Sequence, residues 1–304
     1  MLFTGVLLSI AASVLFGLLS YYSVLLSPLD GPSVFGWRII FSLLIFALLV
    51  LFSRSSQRVW TDIRRLFGRP GNGFSTLLCS GLIAMQLALF GWAPMNGEGQ
   101  ALAMGYFLLP LLMVVIGRFL YHETIRPLQA LAVTLALAGV LAGLILHGHF
   151  SPVSLIVMLG FPPYFMLRKR LALKGLSGIF IEHLVMLPPA LIILFMWDFN
   201  ADFFVAREAS SWPVLIGLGL LSSTALFCYL GAGQRLPFAL FGMLGYVEPL
   251  LLFVVALLLG EPFAAADLWM YVPIWLAVLL LVLVLVLHGV RQLGRQPRPA
   301  LPRF

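Results

Sequence analysis

"GYFLLPLLMVVIGRFLYHE", residues 105–123, and "GYVEPLLLFVVALLLGE", residues 245–261, are nearly the same passage written twice, 140 residues apart. Each opens on Gly-Tyr, meets a proline within one helical turn or so, runs on through apolar sequence and closes on a glutamate, Glu123 or Glu261. A fainter echo lies upstream. "SVFGWR" (33–38) and "SGIFIE" (177–182) each place a charged residue, Arg38 or Glu182, five positions after a serine. Similarity at about half the chain length points to an internal duplication.

Composition says what kind of unit is duplicated. The chain of 304 residues is 62% hydrophobic and only 10% charged, with a mean hydropathy of +1.08. A soluble domain of this length needs far more charge to cover its surface. The chain is therefore expected to be an all-α, polytopic membrane protein. Runs of the length a spanning helix requires fall near 2–26, 33–52, 74–93, 99–120, 126–146, 152–171, 177–197, 212–233, 238–260 and 267–289. Breakers such as "SPLDGP", "PMNGEG" and "GEPFAAAD" separate them. The first run lacks a small-residue cleavage pattern and reads as a retained helix, not a signal peptide. Cys79 and Cys228 both sit in apolar runs and read as small buried hydrophobes instead of a disulfide.

Charge placement supplies a direction. With ten helices, 16 of the 18 Lys and Arg residues fall on one side: Arg54–Arg69, Arg118 and Arg126, Arg168–Lys174, Arg235 and the tail after 290. Asp30, Glu98, Asp198, Asp202, Glu208, Glu261 and Asp267 fall on the other. The positive-inside rule makes the basic side cytoplasmic, with both termini inside. The net charge of +7 is thus expected to face the inner leaflet and not nucleic acid.

A duplicated unit of five helices has to invert, because an odd number of crossings turns the second copy upside down. Inverted repeats are a common architecture of secondary transporters, with the site near the midplane between the repeats. The expected division is a first repeat over 1–150, a second over 151–290 and a basic cytoplasmic tail over 291–304.

An ordered set of stretches then carries a resemblance: "GVLLSIAASVLFGLLSYY" (5–22), "GWRIIFS" (36–42), "ALAMGYFLLPLL" (101–112), "LQALAVTLALAGVL" (128–141), "GIFIEHLVMLPPA" (178–190) and "LFGMLGYVEPLLLFVVALLLGE" (240–261). Together they resemble the drug/metabolite transporter superfamily, EamA-type, in its RarD-like branch. The resemblance implies a bacterial inner-membrane carrier of ten helices in two EamA repeats, whose relatives often export amino acids, amino-acid-like metabolites or drugs. Two positions depart from the branch. Leu109 stands where an Asn is usual before the proline of segment four, and Glu248 where a Gly is usual before that of segment nine.

Candidate site residues follow from the cost of charge in lipid, at least about 2.5–3.5 kcal/mol at a helix centre. Glu248 lies ten residues into its run, roughly 15 Å at 1.5 Å per residue, near the midplane. It needs a partner, a proton or water. It either attracts the ammonium of a substrate, exchanges a proton in each cycle, or is a protonated carboxyl bonded to a neighbouring helix. Arg38 and Glu182 sit nearer opposite ends of their helices and are not expected to pair directly. Arg38 reads as a gate or substrate contact, or as an anchor snorkelling outward. Glu182, beside His183, reads as functional or as a tie for segment seven. Pro110 and Pro249 each remove a helical N–H and free the carbonyls of Tyr106 and Gly245, so Tyr106 and Tyr246 stand beside expected bends. Their phenols are candidates for a polar ligand or for packing. Gln86 is a candidate cavity residue, and Trp92 an interfacial anchor.

Signals for enzyme chemistry are missing. The sequence has no His-Glu-x-x-His, no Gly-x-Ser-x-Gly and no phosphate loop, and the "HGH" turn at 147–149 offers too few ligands for a metal. No cofactor is expected. The reading is a secondary transporter, foremost an exporter of a small polar metabolite by alternating access: an amino acid or amino-acid-derived compound, a range that includes a small opine-type metallophore. Rival readings are a proton-coupled drug exporter or uptake carrier on the same fold and, in another class, a membrane enzyme or lipid-handling scaffold. The lipid bilayer is the other expected partner; monomer and homodimer stay equally open.

Overall fold

The computed structural model describes residues 2–120, 122, 127–147, 150–196, 201–207, 211–236 and 244–293, and among these it is helical, with no strand. Ten helices overlap the ten apolar runs: α1 (Leu2–Leu25), α2 (Gly31–Phe52), α4 (Pro70–Met95), α5 (Gly99–Leu120), α6 (Pro127–His147), α7 (Pro152–Arg170), α8 (Gly175–Met196), α10 (Ser211–Arg235), α11 (Val247–Leu258) and α12 (Leu268–Leu293). Two short helices, α3 (Ser56–Phe67) and α9 (Ala201–Arg207), occupy stretches that the hydropathy pattern leaves as loops. α1, α2, α4, α8 and α10 are each long and apolar enough to cross a membrane. Their outward faces carry exposed Leu, Ile and Phe, among them Leu44, Leu48, Phe74, Ile192 and Phe195. Such a surface is a liability in water and the ordinary outer face of a bundle in lipid.

Helix starts are written into the sequence. Asp30 caps α2 by accepting from the Ser33 N–H at 2.9 Å, and Pro32 occupies the first turn. Ser151 caps α7 through the Val153 N–H at 3.2 Å, followed by Pro152. Pro70 opens α4 and Pro127 opens α6. Proline suits the first turn because its missing N–H would have had no helical partner there. α5 starts differently, since its cap comes from the other half of the chain. The Glu261 carboxylate accepts from the backbone N–H groups of Gly99 and Gln100 at 2.6 and 2.8 Å, and the Gln100 side chain returns a bond to the Pro262 carbonyl at 3.1 Å.

Packing follows a regular scheme. Let α1 correspond to α7, α2 to α8, α4 to α10, α5 to α11 and α6 to α12. Three helices then pack against their own counterparts: α2 on α8, α5 on α11 and α6 on α12. The remaining close contacts come in exchanged couples: α1·α10 with α4·α7, α1·α11 with α5·α7, and α2·α10 with α4·α8. The exchange is incomplete: among the described residues the packing of α5 on α4, α6 and α12 has no comparable counterpart of α11 on α10, α12 and α6, and a further gap lies at α4. α4 packs closely on α1 and α2, whereas among the described residues α10 has no comparable packing on α7 or α8. The α2–α4 seam is tight enough that a Cβ on Gly31 would meet Trp92 at 2.5 Å and one on Gly91 would meet Val34 at 3.3 Å.

Segment nine departs from expectation. It was expected to be one helix over 238–260, bent at Pro249. Instead α11 begins at Val247 after a turn at Gly245–Tyr246, so Pro249 stands in a first turn and frees no helical carbonyl. Residues 237–243 lie outside the described residues. So do Glu123, Arg126, the Gly148–His149 part of the "HGH" turn, Asp198, Glu208 and the tail from 294 onward.

Replacing Glu261 by Ala removes two charge-assisted bonds to an otherwise uncapped helix start. The expected result is a loss of about 1–2 kcal/mol, read as a lowered midpoint of thermal unfolding of the detergent-solubilised chain. An unchanged midpoint would refute the capping role.

Candidate functional site

Two polar clusters interrupt the apolar interior. The first gathers on α2, α5, α10 and α11. Arg38 of α2 is only 2% exposed and does not reach outward. Its Nε donates to the Ser222 Oγ of α10 at 2.8 Å, and its guanidinium carbon lies 5.5 Å from the centre of the Phe90 ring on α4. Arginine suits such a place because its flat cation tolerates an aromatic face while its fork still donates. Glu248, in the first turn of α11, is half-buried. It lies within electrostatic reach of Arg38, Tyr106 and Tyr229 but forms no salt bridge with Arg38 and no hydrogen bond among the described residues. A carboxylate at a helix start also benefits from the positive end of the helix dipole.

Aromatic rings wall this cluster. Phe90 stands edge-on to Tyr106 at 6.4 Å and to Phe16 of α1 at 6.0 Å. Phe16 stands edge-on to Tyr229 at 6.3 Å, and Tyr106 leans on Phe161 of α7 at 5.5 Å. The result is an aromatic-walled cluster of one cation, one carboxylate and two phenols, contributed by both halves of the chain.

The second cluster joins α7 to α8 near the basic face, the side that carries most of the Lys and Arg. The Arg168 guanidinium donates to both the Glu182 carboxylate and the Tyr164 hydroxyl. Glu182 is 2% exposed and His183 4%. His183 is bonded through Nδ1 to the Ile179 carbonyl at 3.0 Å and packs edge-on against Phe46 at 4.9 Å. Glu182 is thus an internal counterion to Arg168, and it makes no bond to Arg38.

The other candidates are dispersed. Gln86 is buried on α4 and donates to the Ile156 carbonyl of α7 at 2.9 Å, packed where Gly160 leaves room. Its Oε1 has no protein partner. Tyr246 is buried with its hydroxyl unpartnered, and it does not share the electrostatic surroundings of Tyr106. The repeat therefore brings only one of its two tyrosines to the cluster. Sequence reasoning missed Ser222, Tyr229, Phe90 and Arg168. A signal existed for two of them: Ser222 and Tyr229 are seven residues apart on one helix and therefore share a face.

The two ends of the molecule differ. At the basic face a cavity of about 520 Å³ opens between the α7–α8 turn and α10, and Tyr229 forms part of its wall. At the opposite face Trp37, next to Arg38, is covered by Phe204 of α9 at 5.8 Å and Trp212 of α10 at 6.3 Å. The central cluster thus adjoins a cavity on one side and an aromatic plug on the other.

No family model matches the chain. It is similar to the chloramphenicol-sensitive protein RarD of Pseudomonas aeruginosa, 47% identical over 282 residues that cover 91% of this chain and 92% of that protein. An uncharacterized transporter of Pasteurella multocida is 35% identical over 96% of this chain and 98% of its own length. Protein RarD of Escherichia coli is 31% identical over 92% and 94%. One crystal structure superposes with a TM-score of 0.53 at 16% identity, covering 93% of this chain and 98% of that one, which is a likeness of fold.

The Arg168–Glu182 pair has a direct test. Glu182→Ala leaves a guanidinium without its counterion in a largely apolar setting and is expected to cost about 3–5 kcal/mol, whereas the double variant R168M/E182M recovers most of that loss. Thermal unfolding of the purified variants measures both. Equal destabilisation in the single and double variants would refute the pairing as the reason Glu182 is there.

Proposed function

The chain belongs to the RarD-type bacterial membrane transporters, and from that premise we propose that it exports a small polar metabolite carrying an amino group and a carboxylate. In this reading repeats 1–150 and 151–290 alternate about the central cluster. The basic face, with both termini and the tail 291–304, is cytoplasmic, and the form described here is open to it. Proton or solute gradients supply the driving force.

The observation that carries the reading is the unsatisfied pair at the centre. Glu248 and Arg38 feel each other's charge without touching, and Glu248 is only half-buried. A buried ion pair that closes on itself is structure. One held apart, with Tyr106 near both charges and Tyr229 near Glu248, fits a zwitterion: carboxylate towards Arg38, ammonium towards Glu248, phenol hydroxyls on the polar remainder. The exchanged helix pairings support the alternation, because contacts made by one half are available in mirrored form to the other. The unequal packing of α4 and α10 supports the assigned state.

Mass spectrometry of medium and cytoplasm, from cells with and without the protein, identifies the solute and its direction. Loss of a metabolite from the medium together with its accumulation inside is expected in the deletion strain; faster entry of an added solute when the protein is present favours an uptake carrier instead. Glu248→Gln and Arg38→Gln are each expected to lower that flux at least about tenfold while the chain stays folded by size exclusion. Wild-type flux in Glu248→Gln would remove this residue from the mechanism.

A further inference from the structure

We propose that the cavity at the basic face is an anion-selecting vestibule that takes up carboxylate-bearing solutes before they reach the central cluster. The proposal deepens the transporter reading above and rests on it, since it names the charge that the route admits.

Three cations stand on the cavity wall: Arg58 from α3, Arg168 from α7 and Lys174 from the α7–α8 turn. Arg168 is offset by Glu182. Arg58 and Lys174 are exposed and form no ion pair among the described residues. Asp62, the acidic residue nearest to Arg58 on its helix, is already engaged by Arg65 at 3.0 Å and by the Ser177 hydroxyl at 2.7 Å. The wall contributed by α10 is uncharged: Tyr229, Leu230 and Gly233. Two positive charges therefore face one concave space with no opposing carboxylate on its lining.

Neither cation hangs on a loose loop. α3 buries Val59 and Leu66 and is tied to α8 through Asp62 and Ser177, which sets Arg58 over the opening. Lys174 sits in a turn with Ala172 at φ 50° and Gly175 at φ 55°. Left-handed backbone is unusual for a residue with a β-carbon, and here it is held by Leu173 N–H donating to the Arg168 carbonyl at 3.1 Å and Gly178 N–H to the Lys174 carbonyl at 3.2 Å. Positive charge that only orients a membrane protein acts from anywhere in a short loop. Cations brought by two separate elements to one cavity do something more local. Low-dielectric walls focus their field and raise the local concentration of an opposite charge.

Volume and continuity fit a solute. About 520 Å³ is within the range of small-molecule sites. Tyr229 belongs both to the wall and to the electrostatic surroundings of Glu248 and Arg168, so the vestibule and the central cluster meet at one shared residue.

The test reads the field directly. Leu230→Cys, in a full-length Cys228→Ser background, places a thiol on the wall in inside-out vesicles; Gly233→Cys provides a second position if the first fails to fold. A sulfonate-bearing thiol reagent and a trimethylammonium-bearing one are compared, each normalised to its rate with a free thiol. The sulfonate reagent is expected to react about tenfold faster, with the preference collapsing in R58Q/K174Q and, without any charge substitution, as salt rises. Glutarate is expected to slow modification and its neutral diamide, glutaramide, to have no such effect, equally in vesicles of purely zwitterionic lipid, which separates a solute from a lipid headgroup. A normalised ratio near one, a preference that survives R58Q/K174Q, or equal effects of glutarate and glutaramide would each overturn the proposal. The reagent rates do not require transport. A ratio near one therefore sinks the vestibule alone, and wild-type flux in Glu248→Gln sinks the central site alone.

Discussion

Inside a bilayer a charge cannot be left to water, and the structure is organised around how each one is satisfied. Arg168 and Glu182 satisfy one another and Tyr164 completes the set, so that cluster is closed. Arg38 is half satisfied: Ser222 takes one donor and Phe90 offers a ring, and among the described residues the rest of the guanidinium has no acceptor. Glu248 has no protein hydrogen bond among the described residues and stands half-open. The three cases form a gradient from architecture to availability. The available end of it lies where helices of both halves meet, the place a duplicated and inverted chain has for a shared site.

Much of this was legible. Ten apolar runs and one-sided basic residues are strong signals because lipid tolerates so few alternatives. The repeated Gly-Tyr…Pro…Glu passage marked α5 and α11 as counterparts, though not that they pack together, and the isolation of Glu248 in an apolar run marked it out. Other features left no trace at the level of spacing. That Arg38 faces Glu248 depends on α2 and α11 approaching a common axis, a tertiary fact linking residues 210 positions apart. Pro249 reads as a kink from local rules, yet a first-turn proline and a mid-helix proline are the same letter, and only the position of the preceding turn tells them apart. The arginine-rich stretch after α2 reads as a basic loop because five arginines dominate it. Val59 and Leu66, one heptad apart, were the quieter sign that it contains an amphipathic helix.

The packing scheme and its gap at α4 belong together. If the halves were equivalent, the seam of α4 with α2 would have a twin between α10 and α8. The first seam is closed by Trp92 over Gly31 and Val34 against Gly91, while the place of its twin is taken by the cavity. Under the proposed alternation, one sequence duplicated into two upside-down copies holds two different shapes at once, and exchanging them converts a molecule open at one face into one open at the other.

The bond from Glu261 to the start of α5 bears on how such an exchange proceeds. It stitches the end of α11 to the beginning of α5 at the plugged face, across the boundary between the halves, through two short charge-assisted bonds. The neighbouring α2–α4 seam has only carbon against carbon where the glycines sit. Parting the stitch would leave a carboxylate and two amides without their partners; parting the seam only separates methyl groups and an indole. Under the proposed export cycle the far face therefore opens along its greasy seam and pivots on its polar stitch.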